Sequence, residues 1–515
     1  MIDIGKVLSG HGKYKPEHPA FVCGDTRWTF RELDLRTNQV AHAFLQAGLG
    51  KGSHIATLLP NGRPLYEIYW AAAKIGAVVV PLSPLLRGSG LHNLLVSADL
   101  SLIVTTGDML PHLYALPAAT SDFFSTRIWC TDEVVTARAV AYEEKCAAAP
   151  HTPPPDPGML PDDLYNIIYS SGTTGEPKGI MISHQVRALY MSLFANYFRI
   201  QPESTILHSG SIIFNGAFLT LMPSMFLGAT YILQEHFEVK EVIHAIRTEK
   251  VTHTTLVPSQ IVQMLEDPDF TRDNLPSLEM IMTVGAPLHP AHKKALDERI
   301  PGVFYELYGL TEGFMTILDK FDYPRKGASV GYPPSLMEIK IVDEKGTALS
   351  PNEIGEITGR GPLLMQGYYK KPELTAEAIK DSWLYTGDLG YLDDDGFLFL
   401  TGRKKDLIIS GSVNVYPQDI EAILVKHPAV KDAAVFGAPH ERWGETPVAA
   451  VLCKTTSRPD PEELLHWVNE RVEARFQKLS NLFILEDFPR NVAGKTLKRE
   501  IRDAYLKRQM DGTLH

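Results

Sequence analysis

An apolar strand that runs directly into a glycine-rich loop is the feature that most constrains how this chain folds. The strand reads Asn-Ile-Ile-Tyr over 166–169, and the next residues read Ser-Ser-Gly-Thr-Thr-Gly-Glu-Pro-Lys-Gly over 170–179. Glycines let a backbone turn tightly and approach a ligand, while hydroxyl groups and a lysine ammonium are donors that suit phosphate. We therefore expect a buried strand that ends at a phosphate-binding loop. The candidate ligand-binding residues of this loop are Ser170, Ser171, Gly172, Thr173, Thr174, Gly175 and Lys178.

This loop differs from the Walker A loop found in many nucleotide-binding proteins. Pro177 lies directly before Lys178, and glycine rather than serine or threonine follows that lysine. A flexible Gly/Ser linker is the alternative, but linkers seldom combine a preceding apolar strand with a Pro-Lys-Gly sequence. The pattern therefore favours a phosphate site of a different kind.

Length and composition predict a soluble protein of at least two domains. A chain of 515 residues is too long for a single hydrophobic core. Its 44% hydrophobic and 22% charged residues are typical of soluble globular proteins. The formal net charge of -11 disfavours a nucleic-acid partner, because such a partner requires a basic surface.

Cysteine usage and the N-terminus predict a cytoplasmic protein. The four cysteines, at 23, 130, 146 and 453, have neither zinc-ligand nor redox spacing. The first residues lack the apolar core of a signal peptide. The uncharged stretch 209–234 is long enough to suggest a membrane span, but Asn215, Pro223 and several glycines interrupt it. We therefore expect no transmembrane segment, while a peripheral membrane contact stays open.

Helices alternate with mostly apolar strands along the first part of the chain. Strands are predicted at 27–30, 54–59 and 77–82, and Thr29 can cap the helix that follows the first of them. This alternation predicts an α/β fold in which helices cover both faces of parallel sheets. A strand over 397–401 then gives way to a charged turn led by glycine over 402–406, which suggests a hinge. The last ~110 residues after it are predicted to form a small α+β domain.

Further motifs lie along the second half of the chain. Tyr-Gly-Leu-Thr-Glu occupies 308–312, Tyr-Thr-Gly-Asp occupies 385–388, and Gly-Arg-Lys-Lys-Asp occupies 402–406. A last motif, Pro-Arg-Asn-Val-Ala-Gly-Lys-Thr-Leu-Lys-Arg, occupies 489–499. Alone, each has an ordinary explanation, such as a turn-stabilising Asp388 or a surface ion pair of Arg403. With these motifs in this order after the glycine-rich loop, the chain resembles the adenylate-forming superfamily of acyl-CoA synthetases, nonribosomal adenylation domains and firefly luciferases.

The resemblance implies a domain organisation. A large N-terminal domain over 1–402 would bind ATP and the acyl group, and would contain two doubly wound sheet subdomains and a small distorted barrel. A small mobile α+β domain over 403–515 would follow, with the hinge at Lys405.

The implied reaction has two steps. A carboxylate attacks the α-phosphate of magnesium-ATP to give an acyl-adenylate and pyrophosphate, and the thiol of coenzyme A then displaces AMP.

The same resemblance implies a role for each motif. Tyr308 would lie beside the adenine, Thr311 would contact the α-phosphate, and Glu312 would hold magnesium together with Thr174. Asp388 and Arg403 would bind the ribose. The other implied ATP-binding residues are Gly285, Ala286, Pro287 and Gly309. The implied catalytic residues are Lys495, Thr174 and Glu312, of which Lys495 would neutralise charge on the carboxylate and α-phosphate. Gly411 and Ser412 would face the coenzyme A tunnel.

The implied acyl pocket is mostly apolar. Its residues are Phe214, Asn215, Gly216, Phe218, Leu219, Thr283, Val284, Gly285 and Met315. This lining favours an aliphatic or aryl acid over a dianion or an amino acid, although several of these residues could simply pack the core. Asn215 stands where many relatives carry histidine, so a gating role of that histidine does not transfer. Val284 stands where glycine is usual and is expected to shorten or bend the pocket.

The acceptor is the least constrained part of the prediction. Because the chain ends at His515 without a carrier domain, we expect a stand-alone ligase that uses coenzyme A. An enzyme that loads a separate carrier protein, or one that forms an amide with an amine, remains the alternative. A non-enzymatic binding module is the opposing class, and the presence of Lys495 and Glu312 argues against it. The predicted partner is a small carboxylic acid, and a homodimer stays open.

Overall fold

A computed structural model describes residues 2–118, 120, 127–132, 138–170, 177–410, 413–454, 459–490 and 496–511. The chain forms two compact units. The first contains Met1–Gly327, Pro333–Met337 and Arg360–Leu384, and the second contains Ala328–Tyr332, Glu338–Gly359 and Tyr385–His515. The predicted domain boundary between 402 and 403, with a hinge at Lys405, stays a prediction.

The described residues contain strands in both units. In chain order they are β1 (Pro19–Cys23), β2 (Thr26–Thr29), β3 (His54–Leu58), β4 (Val78–Pro81), β5 (Leu100–Thr105), β6 (Ile128–Cys130), β7 (Val140–Ala141), β8 (Leu164–Ser170), β9 (Lys178–Ser183), β10 (Thr205–His208), β11 (Thr230–Leu233), β12 (His253–Leu256), β13 (Met280–Val284), β14 (Phe304–Gly309), β15 (Met315–Leu318), β16 (Glu338–Val342), β17 (Gly355–Arg360), β18 (Gly367–Tyr368), β19 (Ile379–Lys380), β20 (Trp383–Leu392), β21 (Leu398–Arg403), β22 (Ile408–Ser410), β23 (Val413–Val415), β24 (Val430–His440), β25 (Gly444–Cys453) and β26 (Asn481–Leu485).

The α-helices alternate with these strands. They are α1 (Ile4–Tyr14), α2 (Phe30–Gln46), α3 (Arg63–Ile75), α4 (Gly88–Ser97), α5 (Leu110–Tyr114), α6 (Tyr142–Ala147), α7 (His184–Tyr197), α8 (Phe218–Leu227), α9 (Val239–Thr248), α10 (Pro258–Glu266), α11 (Pro290–Arg299), α12 (Tyr323–Lys326), α13 (Pro372–Ala378), α14 (Pro417–Leu424), α15 (Pro461–Asn469) and α16 (Lys498–Met510). Short 3-10 helices occupy Gly107–Met109, Asn215–Ala217, Lys404–Asp406 and Arg475–Gln477. Within the described ranges, every helix is too short or too polar to cross a membrane.

The first unit is built on two large mixed sheets. One has the strand order β15-β14-β13-β12-β10-β11-β1-β2, and its strands from β14 to β1 run parallel. The other has the order β18-β9-β8-β4-β3-β5-β6-β7, with β8 to β7 parallel and β9 antiparallel to β8. Central strands such as β3 and β4 are mostly apolar and fully buried, and helices alternate with the strands along the chain, as in a doubly wound sheet. This architecture confirms the predicted α/β class.

Smaller sheets follow later in the chain. One has the order β16-β17-β20-β19, with β21 beside β20. The last has the order β23-β22-β25-β24, with β26 parallel to β25. Helices α14 and α15 cover one face of this last sheet through Ile420 and Leu464, and α16 covers the other face through Ile501 and Tyr505. The C-terminal part is therefore an α+β structure, as predicted.

Local sequence signals explain where several elements begin and end. Thr29 caps α2, because its hydroxyl accepts from the Glu32 amide while the Glu32 carboxylate accepts from the Thr29 amide. Gly76 ends α3 in the left-handed conformation, with φ of 71°. Both signals are visible in the sequence, and the predicted capping by Thr29 is confirmed.

Candidate active site

The motif residues of the first unit follow the carboxyl ends of parallel strands. Strands β10, β13 and β14 lie in one sheet and point the same way, and the segments 209–217, 285–287 and 310–313 follow them. In the second sheet, β8 leads into the glycine-rich loop. Ligands of open α/β sheets bind at such carboxyl edges. The fold thus places these motifs where a ligand is expected.

The glycine-rich loop joins two antiparallel strands. Ser170 at the end of β8 lies opposite Lys178 at the start of β9, and Tyr169 lies opposite Gly179. A Cβ atom at Gly179 would lie 3.0 Å from Ile167 Cγ2, so a side chain there would disturb the base of the loop. Five predicted loop residues lie outside the described residues, and these are Ser171, Gly172, Thr173, Thr174 and Gly175.

The motif at 308–312 forms the turn between β14 and β15. The Leu310 amide donates to the Phe314 carbonyl at 2.9 Å and closes the turn. Gly313 has φ of 108°, and a Cβ atom there would lie 2.0 Å from the Leu363 carbonyl oxygen. Only glycine fits such a position, because both the conformation and the close backbone approach exclude a side chain. The turn is therefore fixed against the segment that begins near Leu363.

Within this turn, the predicted nucleotide-binding side chains are accessible to different degrees. Tyr308, Thr311 and Glu312 are half-buried, whereas Gly309 is exposed. The Tyr308 ring lies edge-on to the Phe314 ring, with centroids 6.5 Å apart. The place of Tyr308 beside an adenine stays a prediction.

Tyr368 connects the two motifs of the first unit. Its hydroxyl donates to Glu312 Oε1 at 2.8 Å, and Lys178 Nζ lies 4.9 Å from its ring centroid. Strand β18 holds this tyrosine in place, because it pairs with β9 so that Tyr368 lies opposite Ile180. In addition, the Met365 amide donates to the Glu312 carbonyl at 2.8 Å. A lysine from one motif and a carboxylate from the other are thus brought to the same tyrosine.

Burial, supported by the charge of Glu312, raises the pKa of Tyr368 well above its usual range. The phenol therefore stays protonated and keeps donating to the carboxylate at physiological pH. We interpret Tyr368 as a positioning residue that orients Glu312. Motif analysis of the sequence misses it, since the pairing of β18 with β9 joins residues far apart in the chain. The tandem tyrosines at 368–369 are the only local signal.

We expect Tyr368→Phe to lower kcat for adenylate formation by about tenfold, because Glu312 loses one charge-assisted hydrogen bond. The KM for the carboxylic acid should stay unchanged, while the magnesium concentration for half-maximal rate should rise. Tyr369→Phe is a matched control, since that neighbouring hydroxyl donates to Asp99 Oδ2 instead. Pyrophosphate release measured over a magnesium titration tests both variants. Equal losses in both variants, or no shift in the magnesium titration for Tyr368→Phe, would contradict the positioning role.

The predicted acyl-pocket residues fall into two groups. Phe214, Asn215, Gly216 and Val284 are half-buried, whereas Phe218, Leu219, Thr283 and Met315 are buried. Asn61 supports the segment before them, because its side chain donates to the Gly210 carbonyl at 2.7 Å and accepts from the Ile212 amide at 2.9 Å. Gly285, Ala286 and Pro287 directly follow β13, and Gly285 has φ of 97°.

Val284 lies against Gly216. A Cβ atom at Gly216 would be 3.5 Å from Val284 Cγ1, which is ordinary van der Waals contact. The valine methyl groups therefore occupy the space beside this glycine. The structure brings together two residues that the sequence assigned to the same pocket.

We expect Val284→Gly to shift selectivity toward longer or bulkier acids, because it removes three carbons beside Gly216. A change of one methylene in an apolar pocket alters discrimination by roughly tenfold or more, so relative kcat/KM should change by at least about tenfold between short and long acids. A chain-length series of saturated acids measures this effect. Val330→Ala is the control, because it removes buried methyl groups outside the predicted pocket. Val242→Gly would not serve, because a glycine inside a helix would itself destabilise the protein. Unchanged relative kcat/KM across the series would show that Val284 does not limit the pocket.

The second unit pairs the predicted ribose-binding residues. Asp388 on β20 lies opposite Arg403 on β21, and Arg403 Nε is 3.2 Å from Asp388 Oδ1. The Thr386 hydroxyl stabilises the bend before them by donating to the Ile357 carbonyl at 2.7 Å and accepting from the Asp388 amide. The guanidinium donates and the carboxylate accepts, so together they suit a pair of sugar hydroxyl groups.

The remaining predicted residues of the second unit are only partly covered by the structure. Lys405 lies in the exposed 3-10 helix Lys404–Asp406 directly after β21. Gly411, Ser412 and Lys495 lie outside the described residues. Arg490 and Thr496, which flank 491–495, form an antiparallel bridge, and the Leu497 amide donates to the Pro489 carbonyl at 2.8 Å.

Known proteins resemble this chain along most of its length. The family model for AMP-binding enzyme matches residues 9–369, and the model for the AMP-binding enzyme C-terminal domain matches residues 419–495. The fatty acid–[acyl-carrier-protein] ligase ScoC of Streptomyces coeruleorubidus is 30% identical over 97% of this chain and 96% of its own length. The feruloyl-CoA synthase of an Amycolatopsis species is 31% identical over 95% of this chain and 96% of its own length.

A solved structure also resembles this chain along almost its whole length. The ATP-bound crystal structure of MatB from Rhodopseudomonas palustris superimposes with a TM-score of 0.89 at 26% identity, covering 98% of both chains.

Proposed function

This chain belongs to the AMP-binding enzyme family and is an AMP-forming acyl-CoA ligase, and we propose that it uses magnesium-ATP to activate an apolar aliphatic or aryl acid. The observation that carries this proposal is the meeting of Lys178 and Glu312 at Tyr368. A cation beside a carboxylate, at the end of a phosphate loop and at the carboxyl edge of parallel strands, suits a metal-bound polyphosphate.

The proposed adenylation step needs no protein nucleophile. The carboxylate oxygen of the acid attacks the α-phosphate, the bond to the β-phosphate bridging oxygen breaks, and pyrophosphate leaves with the electron pair. Lys178 and the hydroxyl groups of the loop hold the phosphates, and Thr311 donates to the α-phosphate. Asp388 and Arg403 bind the ribose. The protein contributes positioning and charge stabilisation, which dominate catalysis in phosphoryl and nucleotidyl transfer.

The residues present fit a magnesium ion bound together with ATP. In the described ranges, no cluster of three or more histidine, cysteine or acidic side chains forms a complete metal site. Magnesium commonly binds through one or two carboxylates plus substrate phosphates, so Glu312 alone is a sufficient protein carboxylate. One oxygen of Glu312 accepts from Tyr368, which fixes the orientation of the carboxylate. When bound, the ion would neutralise phosphate charge.

The second half-reaction is proposed to use the C-terminal domain. Rotation about Lys405 would withdraw Lys495 and bring Gly411 and Ser412 to the pantetheine tunnel. The thiol sulfur of coenzyme A would attack the acyl carbonyl, and the bond between that carbon and the phosphate oxygen would break. AMP would leave with the electron pair, and the thiol proton would pass to its phosphate. An acyl-carrier protein is the alternative acceptor, because the relative ScoC is a ligase for such a protein. Its thiol would attack the acyl carbonyl in the same way as the thiol of coenzyme A.

A reducing cytoplasmic setting is also proposed. Cys23, Cys130 and Cys146 are buried free thiols and Cys453 is half-buried. Burial raises the pKa of the Cys23 thiol to about 11 and that of Cys146 to about 12, so these thiols are protonated and unreactive. Their state suits a compartment in which disulfides are rare.

An assay of AMP and pyrophosphate formation tests the proposed function. The purified chain is incubated with magnesium-ATP and a panel of short, medium, long and aromatic acids, with and without coenzyme A. We expect acid-dependent pyrophosphate release, and AMP together with acyl-CoA only when coenzyme A is added. Acid-dependent adenylate that coenzyme A never accepts would redirect the acceptor to a carrier protein or an amine. No pyrophosphate with any acid would overturn the proposal.

A further inference from the structure

Arg187 is a buried arginine that the proposed reaction does not use. It lies on α7, close after the glycine-rich loop in the chain, and its side chain is fully buried. The groups that influence its charge are the phenols of Tyr190, Tyr165 and Tyr69 rather than a carboxylate, and burial lowers its pKa. A buried charge is normally paired, because transferring an unpaired ion from water into the protein interior costs about several kcal/mol. This guanidinium therefore needs explanation.

Only part of the guanidinium is satisfied by its neighbours. Asn166 Oδ1 accepts from Arg187 Nε at 3.3 Å and from Nη2 at 3.2 Å. Arg187 Nη1 and Asn166 Nδ2 have no hydrogen-bond partner among the described residues. Both are donors, so this pair offers N–H groups without an acceptor. An oxygen ligand would satisfy them, whereas a methyl group would not.

The pair lies against the predicted acyl pocket. The Arg187 Cζ atom is 4.0 Å from the ring centroid of Phe218 and 4.9 Å from that of Tyr190. The Tyr190 hydroxyl is 3.4 Å from Asn215 Nδ2, and Asn215 Oδ1 has no partner in the described part of the chain. Asn215 and Phe218 flank Gly216, the residue that lies against Val284. The unsatisfied donors are thus linked through Tyr190 and Phe218 to residues of the predicted acyl pocket, among them the one that carries the unsatisfied acceptor.

The aromatic rings explain how the cation can be buried without a carboxylate. Two rings near the guanidinium provide cation–π stabilisation, which grows when the cation is desolvated. Stacking acts on the faces of the guanidinium and leaves its in-plane N–H groups available for hydrogen bonds, of which Nε and Nη2 donate to Asn166. The rings therefore stabilise the charge but do not replace a hydrogen-bond acceptor at Nη1.

We propose that the pocket selects acids with an apolar body and an oxygen acceptor at the end distant from the reacting carboxylate, and that Arg187 Nη1 donates to this oxygen. Asn166 is the positioning residue that holds the guanidinium through its Oδ1 atom. A hydroxyl group would in addition donate to Asn215 Oδ1, whereas a carboxylate would only accept. This inference rests on the proposed function, since it concerns the acid that the ligase activates.

Matched acids that differ only at the distant end test the inference. Decanoate, ω-hydroxydecanoate and decanedioate form one set, and cinnamate with its para-hydroxy and para-carboxy derivatives forms another. For the wild-type chain we expect a preference in at least one of the two sets. There, kcat/KM for pyrophosphate release should be at least about tenfold higher for an oxygen-ended acid than for the matched acid without that oxygen. Preference for the hydroxyl or for the carboxylate then identifies which oxygen is bound.

Variants at position 187 assign the preference to the guanidinium. Arg187→Met should remove most of the preference and leave kcat/KM for the plain acid within about threefold, since replacing a buried charge by an apolar side chain is often tolerated. Arg187→Lys should retain part of it. Arg199→Met is a matched control, because Arg199 also lies over an aromatic ring, that of Phe321 at 4.7 Å, but is paired with Asp319.

Each outcome decides the inference. Loss of the preference in Arg187→Met but not in Arg199→Met supports it. A wild-type chain that uses plain acids as well as oxygen-ended acids overturns it without any variant, and the proposed function still stands. An unchanged preference in folded Arg187→Met, verified by thermal unfolding, also overturns it. Absence of pyrophosphate with every acid would overturn the proposed function as well.

Discussion

Replacing Glu312 with glutamine is expected to lower kcat for adenylate formation by about two to three orders of magnitude, the usual cost of removing a group that stabilises transition-state charge. Glutamine keeps the size of the side chain, and its amide oxygen can still accept from the Tyr368 hydroxyl. The variant therefore isolates the negative charge from the geometry. The rate of pyrophosphate release at saturating acid and ATP measures the effect, and the magnesium titration should move to higher concentration.

Glu298→Gln serves as the control for this prediction. Glu298 lies on α11, is exposed and forms a surface ion pair with Lys294. Its replacement should change kcat by less than about twofold, because such pairs contribute little. If Glu312→Gln retained a rate within about threefold of the wild type, Glu312 would not be the carboxylate that binds the metal.

A double variant tests whether Tyr368 acts through Glu312. If the tyrosine only orients the carboxylate, adding Tyr368→Phe to Glu312→Gln should have much less effect than Tyr368→Phe alone. Residues that act as one unit show such non-additive effects. Fully additive losses would mean that the tyrosine contributes by another route, for example through its contact with Lys178.

Lys495→Ala is expected to lower the rate of adenylate formation by about two orders of magnitude or more, because a positive charge at the reacting carboxylate and α-phosphate is lost. Transfer of the acyl group from supplied acyl-adenylate to coenzyme A should change by less than about threefold, since the lysine is proposed to leave the site before that step. Single-turnover assays of the two half-reactions make this comparison. The exposed Lys507 on α16 provides a control substitution, Lys507→Ala.

Equal losses in both half-reactions would contradict the proposed rotation about Lys405. That result would mean that Lys495 stays at the site throughout the reaction, or that its substitution disturbs the C-terminal domain. Thermal unfolding of the variant separates these two explanations, because only the second predicts a lower midpoint.

Sequence patterns predicted those parts of the fold that depend on neighbours in the chain. The strand at His54–Leu58, the cap at Thr29 and the helix that begins at Pro417 all follow from local composition and periodicity. Short motifs singled out Glu312, Asp388 and Arg403, and the structure pairs Asp388 with Arg403, while the roles of these residues in binding stay predictions.

Contacts between distant segments could not be predicted in this way. Tyr368 reaches Glu312 only because β18 adds to the edge of the sheet beside β9, and no local pattern specifies that pairing. Arg187 occupies a helix position whose burial depends on the rings of Phe218 and Tyr190. A charged residue in an otherwise apolar helix is usually read as solvent-facing, so tertiary packing overrides the local expectation here.

The close approach of Gly313 to Leu363 has a consequence for how such an enzyme can change its substrate over time. This main-chain contact holds the turn that carries Glu312, the carboxylate proposed to bind the metal, so exchanging side chains at the predicted pocket positions 216 and 284 should leave that turn in place. Mutational drift can therefore alter which acid enters while the chemistry of activation is retained. The same separation means that redesign of the acid specificity should leave position 313 as glycine and vary position 284 first.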